Sequence, residues 1–149
     1  MTEEERWEYI NQLDDELLNS GVIISEWSTF LIKDSEIAFC SGAYLSSILS
    51  AQSAIESHLR YEFFEGEETK WWGFAKLISE LQSRISLESD LLNDLNSIRI
   101  FRNKWVHVSN PNNDNDLLVK SEYYEEELLN YSKLAIQTML RIIYLIQFV

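Results

Sequence analysis

One proline and four glycines in 149 residues are the tightest constraint on what this chain can fold into. Gly and Pro punctuate a backbone, and collagen-like, solenoid-loop and many-turned all-β architectures all need more of them. What remains are long unbroken stretches in which apolar residues recur every three or four positions, the pattern of amphipathic helices. Hydrophobic residues make up 46% and charged residues 25%, an ordinary globular mixture, so wholesale disorder is excluded. The length implies one domain over 1–149, with a core burying roughly 70% of the surface of the unfolded chain. The expected fold is an all-α bundle of two long helices with shorter helices packed between them.

The helices can be placed from their start and stop signals. Thr2 and Glu5 have capping-box spacing and open a stretch ending near Gly21, with Trp7, Ile10, Leu13 and Leu17 on one side and acids on the other. A short apolar piece, 22–32, has no sharp boundary with the next element. Asp34 or Ser35 then suits the N-cap of a long helix to about Phe64, with Ile37, Tyr44, Ile48, Ala51, Ile55, Leu59 and Phe63 at helical spacing. After the charged break Glu65-Gly66-Glu67-Glu68, Thr69 is placed to cap a helix through Trp71, Trp72, Phe74, Leu77, Ile78 and Leu81 to about Arg84. Ser86 or Ser89 opens a helix over 91–107. The turn-formers at 110–116 surround the single proline in a loop, and the last helix runs from Ser121 to the C-terminus.

Charge and cysteine content exclude several functions. Twelve Lys and Arg against 25 Asp and Glu leave a net charge of −13, which rules out a generally basic nucleic-acid coat but not a locally basic site. The single cysteine, Cys40, allows no intramolecular disulfide, and H-x3-H and C-x2-C spacings are absent, so neither a metal site nor any cofactor is expected. The start, Met1-Thr2-Glu3-Glu4-Glu5-Arg6, is acidic where a secretory signal is basic. The most apolar run, 134–149, is interrupted by Gln137, Thr138, Arg141 and Gln147 and falls short of the roughly 20 residues needed to span a bilayer. A cytoplasmic protein without a membrane anchor is expected. No G-x4-G-K-[ST], G-x-G-x-x-G or G-x-S-x-G occurs.

The segment Arg99-Ile100-Phe101-Arg102-Asn103-Lys104-Trp105-Val106-His107 concentrates three of the twelve basic residues with no acid among them. At about 100° per residue, Arg99, Arg102, Asn103, Val106 and His107 share one helix face, while Ile98, Phe101 and Trp105 turn to the core. His107 falls near a helix C-terminus, where the dipole favours the imidazolium. Arg presents a planar fork matched to phosphate oxygens, and His exchanges a proton near neutral pH. In RNA the 2′-OH is a built-in nucleophile. One His can take its proton while Arg stabilises the charged transition state, and a symmetric dimer would supply a second His as the acid. This scheme needs no metal.

Arg102-Asn103-Lys104-Trp105-Val106-His107 resembles the R-x4-6-H motif of HEPN domains, including the polar residue directly after the Arg. Its place, late in a helix before the loop to the last long helix, is similar to that family's layout. The resemblance implies a dimeric, metal-independent endoribonuclease, acting as a toxin or antiviral-defence effector, with RNA as substrate and a neutralising or regulatory protein as partner. Carried over by position, Arg102 and His107 are the catalytic pair and Asn103 the supporting polar residue. Arg99 and Lys104 are added as substrate-binding residues from their place in the basic segment. Some HEPN proteins are non-catalytic, and the net charge also suits a helical interaction module, antitoxin-like, immunity-like or nucleotide-sensing.

Plainer roles compete at each position. Helix-end Arg and His often only cap carbonyls. His58 is expected to be an exposed or hydrogen-bonded helix histidine, and Cys40 a buried, inert thiol. Trp71 and Trp72 are adjacent and cannot both face one core, so one is a candidate to stack a base or meet a partner. The clusters at 3–5, 65–68 and 122–127 read as solvated acidic faces. They repel RNA at long range, which favours a restricted substrate or a gated activity.

Overall fold

The computed structural model describes residues 1–18, 22, 24–64, 67–106 and 121–147. Its regular structure is helical throughout, with six α-helices among the described residues. The first, α1 (Glu3–Leu17), starts with the expected capping box. The Glu5 amide donates to Thr2 Oγ1 at 3.1 Å and the Thr2 amide donates to Glu5 Oε2 at 2.6 Å. It ends at Leu17, short of Gly21.

Residues 34–64 do not form one helix. A first helix, α2 (Glu26–Cys40), begins within the apolar piece, with Ser25 Oγ accepting from the Ser28 amide at 3.2 Å. It stops because Gly42 adopts φ +82°, a conformation that costs L side chains dearly. Around it the Ala43 amide bonds to the Ala38 carbonyl and the Gly42 amide to the Phe39 carbonyl, the paired bonds of a Schellman end. The Arg6 guanidinium covers the Cys40 carbonyl from α1 at 2.9 Å. The chain then turns into α3 (Tyr44–His58), which continues as a π-helical segment, Leu59–Phe64. Ile37, on the expected inner row, is 41% exposed, because the break frees α2 to rotate its own face to the core.

The expected start at Thr69 is also corrected. Glu67–Trp71 is a 3-10 segment, and α4 (Phe74–Arg84) begins only after Gly73, which sits at the N-cap in extended conformation. Helix α5 (Ser89–Val106) comes next, and α6 (Ser121–Leu145) closes the bundle.

Helix α3 is the centre, packed against α2 and α6 and touched by α5. Small residues allow the close α2–α3 approach: Ser47 Oγ donates to the Ser35 carbonyl at 2.8 Å, beside the fully buried Ala51 and Ala54. Ile48, Ile55, Leu59, Leu77, Leu81, Leu95, Ile98, Ile136, Met139 and Leu140 fill the core. Burial of each such side chain stabilises by roughly 1.5–3 kcal/mol. Arg141 on α6 binds Asp94 at 3.2 Å and Glu88 at 3.7 Å, fixing α5 against the bundle. Among the described residues no helix is long and apolar enough to cross a membrane.

Candidate functional site

The site is built on α5. Leu91, Leu95, Ile98 and Phe101 recur at spacings of three and four and are buried, so the inner face of the helix is set by core packing. At its last turns an aromatic clamp holds it to α6. The Phe101 ring stacks on Tyr131 with centroids 3.8 Å apart and planes 8° from parallel, and Trp105 meets Tyr124 edge-on at 5.7 Å. Ring pairs of this kind add about 0.5–1.5 kcal/mol beyond area burial. The Trp105 indole N–H is enclosed without an acceptor among the described residues.

With this face anchored, the others are fixed by helical geometry. Arg99, Arg102 and Asn103 are half-buried at the border of the packed face. Six arginines are described. Arg6 bonds to the Met1 and Cys40 carbonyls, and Arg60, Arg84 and Arg141 each pair with carboxylates. Arg99 and Arg102 have no ion-pair or hydrogen-bond partner among the described residues, and Arg99 Nε is enclosed. A guanidinium does not discharge in a protein, so these two cations remain uncompensated there.

Lys104 stands apart from this pair. It lies about 200° from Arg102 around the helix. Its Nζ sits 3.7 Å from Glu127 Oε1 and over the Tyr124 and Phe101 rings. The structure thus places Arg99, Arg102 and Asn103 together and turns Lys104 toward α6. His107 lies outside the described residues.

The other histidine, His58, is fully buried at the end of α3. Its Nε2–H donates to the Ile146 carbonyl, which fixes the proton on that nitrogen, while Nδ1 is enclosed without a partner among the described residues. Burial lowers its pKa, outweighing the opposing pull of the Ile146 bond and of Glu62, so the ring is neutral and ties α3 to the end of α6. Cys40 is buried as expected, and desolvation, reinforced by Glu36, pushes its thiol up to about 11. Of the adjacent tryptophans, Trp71 is 85% exposed with Lys70 over its ring, and Trp72 packs edge-on against Phe64.

Sequence reasoning missed one constellation. Asp14 on α1 and Glu36 on α2 are half-buried and share a hydrogen bond. Desolvation pushes Glu36 up to about 8, with Asp14 reinforcing it. Desolvation also raises Asp14, against the Glu36 bond. The pair therefore holds a proton that separate carboxylates would have lost. The signal was present: Asp14 completes an i, i+3, i+4, i+7 stripe with Ile10, Leu13 and Leu17, and Glu36 sits between Ile32 and Phe39–Cys40.

Comparison of the chain with protein-family models, with curated proteins and with solved structures returns no match.

Proposed function

We propose that this protein is a metal-independent endoribonuclease of HEPN type, working as a homodimer in a toxin or antiviral-defence setting. The single observation that carries this reading is the α5 face. In a chain of net charge −13, the two described arginines without partners are neighbours on one helix, with Asn103 beside them. They fall within and one turn before the motif Arg102-Asn103-Lys104-Trp105-Val106-His107.

In this mechanism Arg99 and Arg102 bind the scissile phosphate, and Arg102 stabilises the charge that accumulates on its non-bridging oxygens as the substrate 2′-OH attacks. His107 takes the 2′-OH proton and Asn103 orients one of the reacting groups. The P–O5′ bond breaks, the 5′-oxygen receives a proton from the His107 of a second copy, and the products are a 2′,3′-cyclic phosphate and a 5′-OH. A neutralising or regulatory protein partner accounts for so acidic a nuclease, because long-range repulsion of RNA leaves its activity restricted or gated.

The test is incubation of wild-type, Arg102→Ala and His107→Ala proteins with mixed cellular RNA in EDTA, with product ends identified. Wild type alone should leave cyclic-phosphate ends, and Arg102→Ala should lose about 10²–10³ in rate. Absence of cleavage by wild type across protein and salt concentrations would favour a second reading, a non-catalytic helical interaction module, which the excess of acidic residues supports.

A further inference from the structure

Helices α3 and α6 end side by side, and one side chain joins the two ends. His58, the last residue of α3, is fully buried and donates its Nε2–H to the Ile146 carbonyl, 88 residues further along the chain. A helix C-terminus leaves its last carbonyls without partners inside the helix, and the last turn of α6 holds no basic residue to cover them. Of residues 144–147 only Ile146 is buried, and Tyr144 and Leu145 are half exposed. Upstream the helix is fixed by the fully buried Leu140, Ile142 and Ile143, and by Arg141 against Asp94 and Glu88.

The two nitrogens of the His58 ring have unequal surroundings. Nε2 has its acceptor, whereas Nδ1 is enclosed with no partner among the described residues. A neutral ring suits this arrangement, because Nδ1 is then only an unfilled acceptor. An imidazolium would carry a second N–H donor at Nδ1 with nothing described to receive it, a buried charge short of one hydrogen bond. Glu62, on the π-helical segment that follows His58, is the carboxylate that acts on the ring. The other charges on the elements packed against α3 are engaged, exposed or distant. Glu56 pairs with Arg60, Arg141 of α6 with Asp94 of α5, and Glu36 of α2 with Asp14, while Glu26, Lys33 and Asp34 of α2 are exposed. Arg99 and Arg102 lie beyond Asp94, where α5 runs back toward the start of α6.

We propose that His58 is an acid-sensitive latch: its neutral ring holds the end of α6 against α3, and protonation in mild acid releases residues 144–147 while the rest of the bundle stays folded. In the released state the ring meets water and titrates at its ordinary value, 6.5. In the latched state desolvation holds it lower, against the opposing pull of the Ile146 bond and of Glu62. The released state therefore binds more protons below that value. The latch is at full strength above pH 6.5 and weakens as pH falls below it. Release stays local because a chain end opens at far lower cost than a packed core. The inference stands independently of nuclease activity, since it uses no residue of the arginine face.

The experiment follows the full chain by NMR and amide hydrogen exchange from about pH 7.5 to about pH 5. The His58 ring should show the Nε2–H tautomer at the upper end and titrate below 6.5. With exchange corrected for its intrinsic pH dependence, protection of the amides of 144–147 should fall by about tenfold or more, while amides in the middle of α3 and α6 keep theirs. His58→Gln retains a donor in reach of the Ile146 carbonyl and cannot titrate, so its protection should not change over this range. An Nδ1–H tautomer, a His58 titration at or above 6.5, or unchanged protection of 144–147 in the wild type would overturn the proposal. So would an equal loss in His58→Gln, or a loss spread evenly over all helices, which is general acid unfolding. The wild-type readouts decide the matter even if the variant does not fold.

Discussion

Two regions of this molecule hold like charges without a paired counterion among the described residues, and they respond in opposite ways. On α5, Arg99 and Arg102 stand half-buried with no carboxylate among the described residues to meet them. Between α1 and α2, Asp14 and Glu36 stand half-buried with no ion pair to a cation among the described residues. The carboxyls relieve the cost by sharing a proton, because their ordinary pKa is within reach of neutral pH. The guanidiniums have no such escape and stay charged. The difference teaches where ligands are needed. An isolated acid pair can wait in a neutralised state, whereas an isolated arginine pair is relieved only by an anion.

Three stability measurements can break or sharpen this comparison. The largest effect is expected beneath the arginine face. Ile98 is fully buried there, and Ile98→Ala should destabilise by about 2–5 kcal/mol in denaturant unfolding through lost burial and the cavity left behind. A much smaller loss would mean that packing does not hold the face in place.

The next effect belongs to the acid pair. The Glu36 pKa in the folded chain, about 8, lies above its ordinary value of 4.5, so the folded state binds more protons than the unfolded state between those values. Its contribution to stability is therefore fully present below pH 4.5 and is lost as pH rises through about 8. Glu36→Gln imitates the protonated form. It should match wild type near pH 4.5 and exceed it above pH 8 by about 2 kcal/mol, partial solvent access having reduced the full linkage value. Parallel melting-temperature profiles for the two proteins would show that the pair does not share a proton.

The smallest effect is at Arg99. Replacing a half-buried guanidinium that has one nitrogen enclosed and no partner among the described residues with an apolar chain of similar length is neutral to stabilising. Arg99→Met should gain up to about 1 kcal/mol in thermal unfolding. A clear loss would reveal a stabilising partner for that side chain and end the contrast between the two regions.

The helices themselves were largely legible in the sequence. Thr2 with Glu5, the core rows of α4 and α5, and the apolar α6 are local patterns, set by capping chemistry and helical periodicity within a few residues. The single long helix expected over 34–64 failed at Gly42. Its φ of +82° closes α2 and allows α3 to fold back against it, a choice made by packing between helices that no local propensity shows. At the candidate site, the neighbourhood of Arg99, Arg102 and Asn103 comes from spacing alone. The turning of Lys104 toward Glu127 depends on where α6 lies, and that is a tertiary matter.

The sequence by itself determined an all-α fold, the face of α5 that carries the arginines, and a strongly acidic surface, because periodicity and net charge are properties of the chain. Only the tertiary structure decided which charges would lack partners. Asp14 and Glu36 are 22 residues apart and become a pair through the α1–α2 contact, while Arg141 finds Glu88 and Asp94 and leaves Arg99 and Arg102 without an acid among the described residues. Desolvation and ion pairing depend on distances between elements, and those distances exist only once the helices have packed.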